Sequence, residues 1–373
     1  MLYAQHLAGM QLIKQLIGTI NGLESVSDPY SVLYANSMQR LQENNETGDT
    51  KLGLTTICWL LLAKRPLRLS ELLHALAIDE RIPHLDTENV PLVLHIVDAC
   101  AGLIVVDETN GTVGLFHKTF YEYLVKNRSV WFPQGNDTIG LMCVRYLSFD
   151  AFADGPSKKP DPSSPHFGCQ PPDRAHFAFQ SRLVQYPLYD YASKHWHDHI
   201  RGSNSETAAI VMAFLADSNK VSASCQRLEN LTPQTTGTHL ATELSLEKSL
   251  KHHLKLCRPR PDVKDKSGRS PLTYAAELNH LAAIDHLIRA GAHPDFEDKD
   301  IDDRFTQRPL AYTPLSFAAR KGHILASKAL LQRRADVNYG DKYGRSALSY
   351  AAQGGSEAVA QLLLQRWRSH RSP

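Results

Sequence analysis

One segment of the chain is written three times. Asp265 opens DKSGRSPLTYAAELNHLAAIDHLIRAGAHPD, Tyr312 opens YTPLSFAARKGHILASKALLQRRADVN, and Asp341 opens DKYGRSALSYAAQGGSEAVAQLLLQ. A recurring unit of this size cannot bury its apolar face alone, so it is expected to stack on its neighbours. Leu315 and Leu348 lie 33 residues apart, whereas Leu272 and Leu315 lie 43 apart. The first junction therefore carries ten extra residues. They fall in EDKDIDDRFTQRPLAY, expected to be a long loop on one face. Upstream, LKLCRPRPDV (Leu254 to Val263) reads as the end of a degenerate copy.

Each copy carries its own helix signals. Ser270, Thr313 and Ser346 are residue types that accept hydrogen bonds from the free N–H groups of a first helical turn. Pro271 and Pro314 follow them, at the one helical position where a missing N–H costs nothing. The pairs Ala275/Ala276, Ala318/Ala319 and Ala351/Ala352 allow close approach of neighbouring helices. Gly268 and Gly344 suit a tight turn, and Gly291 a helix end. The period and the T-P-L-H-x-A signature identify ankyrin repeats. The signature histidine is replaced by Thr273, Ser316 and Ser349, and Ala347 stands in place of proline, so the third repeat is expected to be looser. Three repeats is about the minimum for a stable stack, so the array is expected to lean on what precedes it.

The chain upstream is long enough for further domains: it has 373 residues in all. Helix signals run through Ser31–Gln42 and Leu52–Ala63. KRPLRLSELLHALAI predicts a helix capped by Ser70 that buries Leu72, Leu73, Leu76 and Ala77. ENVPLVLHIVDACAG predicts a third helix ending near Gly102. LIVVDETNGTVGLFH then predicts a hairpin, with Asn110-Gly111 as its turn signal. Three helices and a hairpin make a winged-helix layout. Helices are expected again around Thr138–Leu147, in YPLYDYASKHWHDHI and in ETAAIVMAFLAD. Between them ADGPSKKPDPSSPHFGCQPPD, residues 153–173, is Pro- and Ser-rich and reads as a disordered insertion or loop. A polar stretch, Asp217 to Thr238, leads to the repeats.

The domain reading is an N-terminal helical segment over 1–50, a winged helix over 51–128 and a helical connector over 129–239. Ankyrin repeats follow over 240–373: a partial copy at 240–263, then copies at about 265–296, 297–338 and 339–367. The fold class is mainly α.

Composition excludes several functions. A net charge of +2 gives no strong field for nucleic acid or a membrane surface. The six cysteines (58, 100, 143, 169, 225 and 257) form no CxxC pair, so they are read as buried free thiols in a reducing compartment. Gln5, His6, Gln11 and Lys14 interrupt the apolar N-terminus, which does not read as a secretory signal. Leu52 to Ala63 is too short to span a bilayer. A cytoplasmic location is expected.

ICWLLLAKRPLRLSELLHALAI, CAGLIVVDETNGTVGLFHKTFYEYL, CVRYLSFDAF and YPLYDYASKHW occur in that order. Together they resemble the region after the nucleotide-binding module of fungal NACHT–ankyrin proteins. These are STAND-class signalling NTPases related to NOD-like receptors. The resemblance covers roughly residues 30–215. It implies a winged helix, a helical connector and an ankyrin array that senses or binds a partner protein. It also implies an upstream module with a G-x-x-x-x-G-K-[ST] phosphate loop. No Gly-Lys dipeptide occurs in this chain. The expectation is a truncated member without ATP binding or hydrolysis, which would engage nucleotide only through an upstream NACHT module.

Other residues suggest chemistry and are weighed against simpler roles. His117, in LFHKTFYEYL, lies where the resembled family's winged helix can carry a histidine contacting a nucleotide phosphate. Here it is read as a relic of that sensor, a partly buried histidine at a strand–helix junction bonded to backbone. His195 and His199 are four apart in KHWHDHI, as a zinc pair can be, but no third ligand is evident and no metal is assigned. Asp298, Asp300 and Asp302 alternate like calcium ligands, yet positions six and twelve of such a loop would be Asp303 and Pro309. A solvated acidic loop is expected instead. The third winged-helix helix carries Glu88 and Asp98 and no Lys or Arg, which disfavours DNA. No catalytic residues and no cofactor are assigned.

The reading is a non-enzymatic scaffold that binds a protein partner through its ankyrin surface. The candidate contacts are Lys266, Arg269, Glu277, Tyr312, Arg320, Lys321, Lys342, Tyr343, Arg345 and Gln353, placed at turn tips or on inner helix faces. Two alternatives stay open: a nucleic-acid-binding winged helix, and the regulatory part of an NTPase whose catalytic module lies elsewhere.

Overall fold

The computed structural model describes residues 29–43, 49–107, 109–156, 174–228, 231, 234–300, 310–341 and 343–371. The chain is mainly helical, as the patterning predicts, and falls into two compact units. The first takes in the chain up to Met142 with Val184–Leu188; the second takes in Cys143–Leu183 and everything from Tyr189.

In the first unit, helices α1 (Pro29–Glu43), α2 (Asp49–Leu62), α3 (Leu69–Leu76) and α4 (Val93–Ala99) precede a hairpin of β1 (Ile104–Asp107) and β2 (Thr112–Leu115). Helices α5 (Lys118–Lys126) and α6 (Arg128–Trp131) follow. Helix α2 is the hub and packs against α1, α3, α4, α5 and β2. Ile57 and Trp59 are fully buried on it. Gly53 sets how closely α2 and α4 cross: a Cβ there would meet the Ala99 carbonyl oxygen at 2.3 Å. Tyr34 of α1 packs its ring against Phe116, Phe120 and Tyr123, with centroids 5.1–6.2 Å away.

Two local expectations change. Arg68, not Ser70, is the N-cap of α3. Glu71 accepts from the Arg68 N–H at 2.8 Å and from both terminal nitrogens of Arg65 at 2.6 and 2.8 Å. A buried carboxylate that binds a guanidinium and a backbone donor outcompetes a serine cap. The helix buries Leu72 and Ala75, with Ala77 just beyond, while Leu73 and Leu76 stay half-exposed. The hairpin forms in the expected place, but Asp107 pairs with Thr112 across a four-residue loop. Asp107 Oδ1 accepts from the N–H groups of Thr109 and Asn110, and Gly111 takes φ +61°.

Helix α7 (Gly135–Leu147) leads into the second unit, where α8 (Arg174–Gln185), α9 (Leu188–Ile200), α10 (Ala209–Ala216) and α11 (Ser218–Ser224) form the connector. The polar stretch expected from Asp217 onward is not a bare linker. The Asp217 side chain accepts from the Asn219 and Lys220 N–H groups and starts α11, which buries Val221 and Ala223. Most of the proline-rich segment, residues 157–173, lies outside the described residues.

Four helix pairs then stack: α12 (Gly237–Glu243) with α13 (Glu247–Cys257), α14 (Pro271–Glu277) with α15 (Leu281–Arg289), α16 (Pro314–Arg320) with α17 (Ile324–Gln332), and α18 (Ala347–Gln353) with α19 (Glu357–Arg371). The short helices pack in one row and the longer ones in another. Ser270, Thr313 and Ser346 are the N-caps as expected, although of the three only Thr313 accepts a backbone N–H of the first turn on its side chain, while the Ser270 hydroxyl meets that of Thr273 at 3.1 Å. The copy expected over 240–263 is a complete helix pair that begins earlier. Its signature is eroded to Thr236, His239 and Ala241, with Gly237-Thr238 in place of Pro-Leu. The stack does lean on what precedes it: α10 packs against α12 and α13. Buried Glu206 accepts from the backbone N–H groups of Lys248 and Ser249 at 3.0 and 3.2 Å, so a carboxylate closes the N-terminus of α13.

Of the described cysteines, four are buried and Cys257 is exposed, against the expectation that all are buried. Among the described residues no helix is long and apolar enough to cross a membrane.

Candidate functional site

The turn before each short helix decides what the inner face of the stack presents. Two of these turns share one circuit. Asp265 N–H donates to the Arg269 carbonyl at 3.0 Å, and Gly268 N–H returns to the Asp265 carbonyl at 3.0 Å. The Asp265 carboxylate then accepts from Arg269 N–H at 3.0 Å and from the Tyr274 hydroxyl at 2.7 Å. The Arg269 guanidinium lies over the Tyr274 ring, 4.2 Å from its centroid. Asp341, Gly344, Arg345 and Tyr350 repeat the pattern, with a Tyr350 hydroxyl bond of 2.7 Å. Burial, then the neighbouring aspartate, pushes both tyrosine hydroxyls well above the usual phenol range. Burial would raise Asp341, but the Tyr350 hydroxyl and the donors of Arg345 and Tyr343 hold it below the ordinary carboxylate value.

The turn before α16 departs from this. Asp298 stands 33 residues after Asp265, in the same register, and pairs with Tyr312 across β3 (Asp298–Asp300) and β4 (Leu310–Tyr312). The ten extra residues therefore widen the turn itself; residues 301–309 lie outside the described residues. Tyr312 occupies the position of Arg269 and Arg345, and Phe317 that of Tyr274 and Tyr350. Asp298 is fully buried, which overturns the expected solvated acidic loop at this position. Its Oδ1 accepts from Ser270 N–H at 3.0 Å, but Oδ2 has no hydrogen-bond partner, and the residue in the register of Tyr274 and Tyr350 is Phe317, which has no hydroxyl. Burial pushes its carboxyl up to about 7 against the opposing bonds from Thr273 and Ser270 and the charge of Arg269.

The side chains of these turns form a continuous row across the repeats. His239 meets the edge of Tyr274, and Arg269 lies over both Tyr274 and Phe317. Tyr312 stands 4.8 Å from Phe317 and 4.9 Å from Tyr350, and Arg345 lies over Tyr350 and Tyr343. Tyr312 was expected among the exposed contacts. It is instead 3% exposed, in a buried cluster with Phe317 and Tyr350, because it replaces a stacking arginine.

The other candidates fall as follows. Lys266, Arg320, Lys321, Tyr343 and Gln353 are exposed. Arg269 is mostly covered and paired with Glu277, and Lys321 reaches the same carboxylate at 3.2 Å. Burial raises Glu277, but these two cations bring it below its ordinary value. Arg345 is partly covered and paired with Asp341 at 2.9 Å. Lys342 lies outside the described residues.

Residues that hold the row were not all anticipated. His239 receives the Thr236 N–H on Nδ1 at 3.3 Å, so Nε2–H donates to the Arg269 carbonyl at 3.1 Å. His280 and His323, each ten residues after an N-cap, bond the Thr242 and Glu277 carbonyls of the preceding pair. The recurring spacing of these histidines was the available signal.

His117 is exposed, not partly buried. It is the N-cap of α5: Nδ1 accepts from Thr119 N–H at 3.2 Å and lies 2.8 Å from Thr119 Oγ1, which meets the Tyr34 hydroxyl at 2.6 Å. His195 and His199 do not converge. His195 faces Asp198 at 3.3 Å, and His199 meets the Tyr191 hydroxyl at 2.8 Å. Among the described residues no group of three or more His, Cys, Asp or Glu side chains is placed to hold a metal. On α4, Leu94, His95 and Asp98 are exposed.

Comparison with known proteins agrees with this anatomy. Residues 43–130 match the family described as "GPI inositol-deacylase, winged helix domain". Residues 267–299 match "Ankyrin repeat", and residues 296–370 match "Ankyrin repeats (3 copies)". The human SH3 and multiple ankyrin repeat domains protein 2 is 37% identical over 28% of this chain and 5% of its own length. Human transient receptor potential cation channel subfamily A member 1 is 32% identical over 28% and 9%. The neurogenic locus notch homolog protein 1 of Xenopus laevis is 32% identical over 37% and 5%. The chain thus spans less than a tenth of the length of these curated relatives. It carries a winged helix domain of the GPI inositol-deacylase type and, after it, ankyrin repeats.

Proposed function

We propose that this chain is a non-enzymatic scaffold whose ankyrin stack binds a protein partner on its inner face. Ankyrin repeats generally mediate protein–protein interaction, and one observation carries the reading further. Exposed Arg320 bonds the Tyr312 hydroxyl and exposed Tyr343 meets the Arg345 guanidinium, both members of a row of stacked aromatic and guanidinium groups. Contact side chains held on such a base lose little further freedom on binding. The domain boundaries read from the sequence, the cytoplasmic location and membership in a larger STAND-type signalling protein belong to the same proposal. In it, partner binding at the repeats would be relayed to a nucleotide-binding module elsewhere.

His117 favours that wider reading. With Nδ1 occupied by the Thr119 N–H, the neutral ring carries its proton on Nε2, a donor suited to an anion. A nucleic-acid role is disfavoured: α4 contains no Lys or Arg and exposes Leu94 and Asp98.

The test is affinity capture with the full chain. Proteins retained by the intact chain should be lost from the Tyr343→Ala/Gln353→Trp variant and kept by Leu94→Asp on α4, with circular dichroism unchanged for both. Equal retention by the inner-face variant would refute the reading.

A further inference from the structure

We infer that the inner face around α16 and α18 receives an acidic segment of a protein partner, its carboxylates bound by Arg320, Lys321 and Arg345. The inference rests on the protein-binding reading and specifies the partner's chemistry.

The charges on this face are layered. The carboxylates lie underneath and are already used: the Asp341 side chain is 1% exposed and serves Tyr350 and Arg345, and that of Glu277 is 22% exposed and serves Arg269 and Lys321. The cations lie on top: the Lys321 side chain is 51% exposed, that of Arg345 34%, and Arg320 is exposed. At α16 and α18 three cations, Arg320, Lys321 and Arg345, thus stand over two carboxylates that already have partners. Among the described residues, no carboxylate lies within ion-pair distance of Arg320.

Arg320 is also positioned in advance. Its Nη1 donates to the Tyr312 hydroxyl at 3.3 Å. Its backbone is pressed by α18, because a Cβ on Gly354 would meet the Arg320 carbonyl oxygen at 2.0 Å. Arg345 reaches the same region over the Tyr350 ring, which stands 4.9 Å from Tyr312. The Nη2 of Arg345 is buried with no hydrogen-bond acceptor. An incoming carboxylate therefore meets the part of the Arg345 side chain that stays exposed, not this covered nitrogen. The planar fork of arginine matches a carboxylate with two parallel bonds, and a second arginine with a lysine suits a run of acidic side chains.

The sign also changes along the stack. Helices α12 and α14 end in Glu243 and Glu277, whereas α16 ends in Arg320 and α18 in Gln353. Complementary potential would direct an acidic segment to the α16–α18 side and away from the other end. A nucleic acid would meet the same cations, but it needs a longer basic track than these few residues give.

The experiment is fluorescence anisotropy with the full chain and three labelled probes: oligoglutamate, oligolysine and a single-stranded RNA of matching charge. Oligoglutamate should bind and weaken with added salt, and oligolysine should not bind. Arg320→Glu/Lys321→Glu should lower oligoglutamate affinity by about tenfold or more. Gln353→Lys should raise it, a gain that no folding defect can imitate. Unchanged affinity in both variants, absence of oligoglutamate binding, or tighter binding of the RNA would overturn the inference. The partner-capture test separates this failure from that of the broader reading. A partner kept by Arg320→Glu/Lys321→Glu and lost from the Tyr343→Ala/Gln353→Trp variant leaves protein binding standing without the acidic preference.

Discussion

The turn at Asp341 and the turn at Asp298 begin from the same residue and reach opposite electrostatic states. At Asp341 a tyrosine hydroxyl, an arginine side chain and two backbone N–H groups surround the carboxylate and hold its charge. At Asp298 the arginine position is Tyr312 and the tyrosine position is Phe317, so the carboxyl is sealed in with one oxygen unpartnered. The lesson is that the repeat motif supplies a carboxylate and its solvation together. Where the widened turn replaces the partners and keeps the acid, the burden falls on the acid.

The largest expected effect comes from relieving that burden. Asp298 has its carboxyl raised to about 7, so it favours the folded state most at low pH and loses this contribution as pH rises toward neutrality. Asp298→Asn should stabilise the chain by up to about 4 kcal/mol at pH 8 and by little near pH 4. Thermal or urea midpoints across pH give the answer; a gain independent of pH would break the comparison. The opposite change follows at the other turn. Asp341→Ala strips the partner from the buried Tyr350 hydroxyl and from Arg345, and should cost about 3 kcal/mol at neutral pH. Equal effects at the two aspartates would show that the circuits are not different in kind. The smallest and sharpest test is Phe317→Tyr, which supplies the hydroxyl that the other two turns possess. It should recover about 1 kcal/mol at pH 8 and reduce the benefit of adding Asp298→Asn.

Much of the fold was legible because the repeats carry their own punctuation. Proline after a Ser or Thr cap, the Ala-Ala pair and the glycine turns placed α14, α16 and α18 within a residue or two. The first helix pair was only half seen because Thr236, His239 and Ala241 alone remain of its signature. Reading back 34 residues from Ser270 to Thr236 would have found it. Arg320, Lys321, Tyr343 and Gln353 were legible as surface from repeat register alone. Tyr312 and Asp298 were not, because local composition says polar loop while register says core. Ser70 failed as a cap for a similar reason: buried Glu71, held by Arg65, is a tertiary contact that short-range pattern does not contain.

A second contrast bears on function. The winged helix presents a short α4 with an apolar and acidic exposed face, whereas the ankyrin stack presents cations fixed on a packed aromatic row. Recognition is proposed to lie on the second. Hydrogen exchange of the full chain with and without its captured partner tests this most directly. Exchange should slow in Pro314–Arg320, Ala347–Gln353 and the turn before α18, with Val93–Ala99 unchanged. Protection confined to α4 and the β1–β2 hairpin, with the inner helices unaffected, would contradict it.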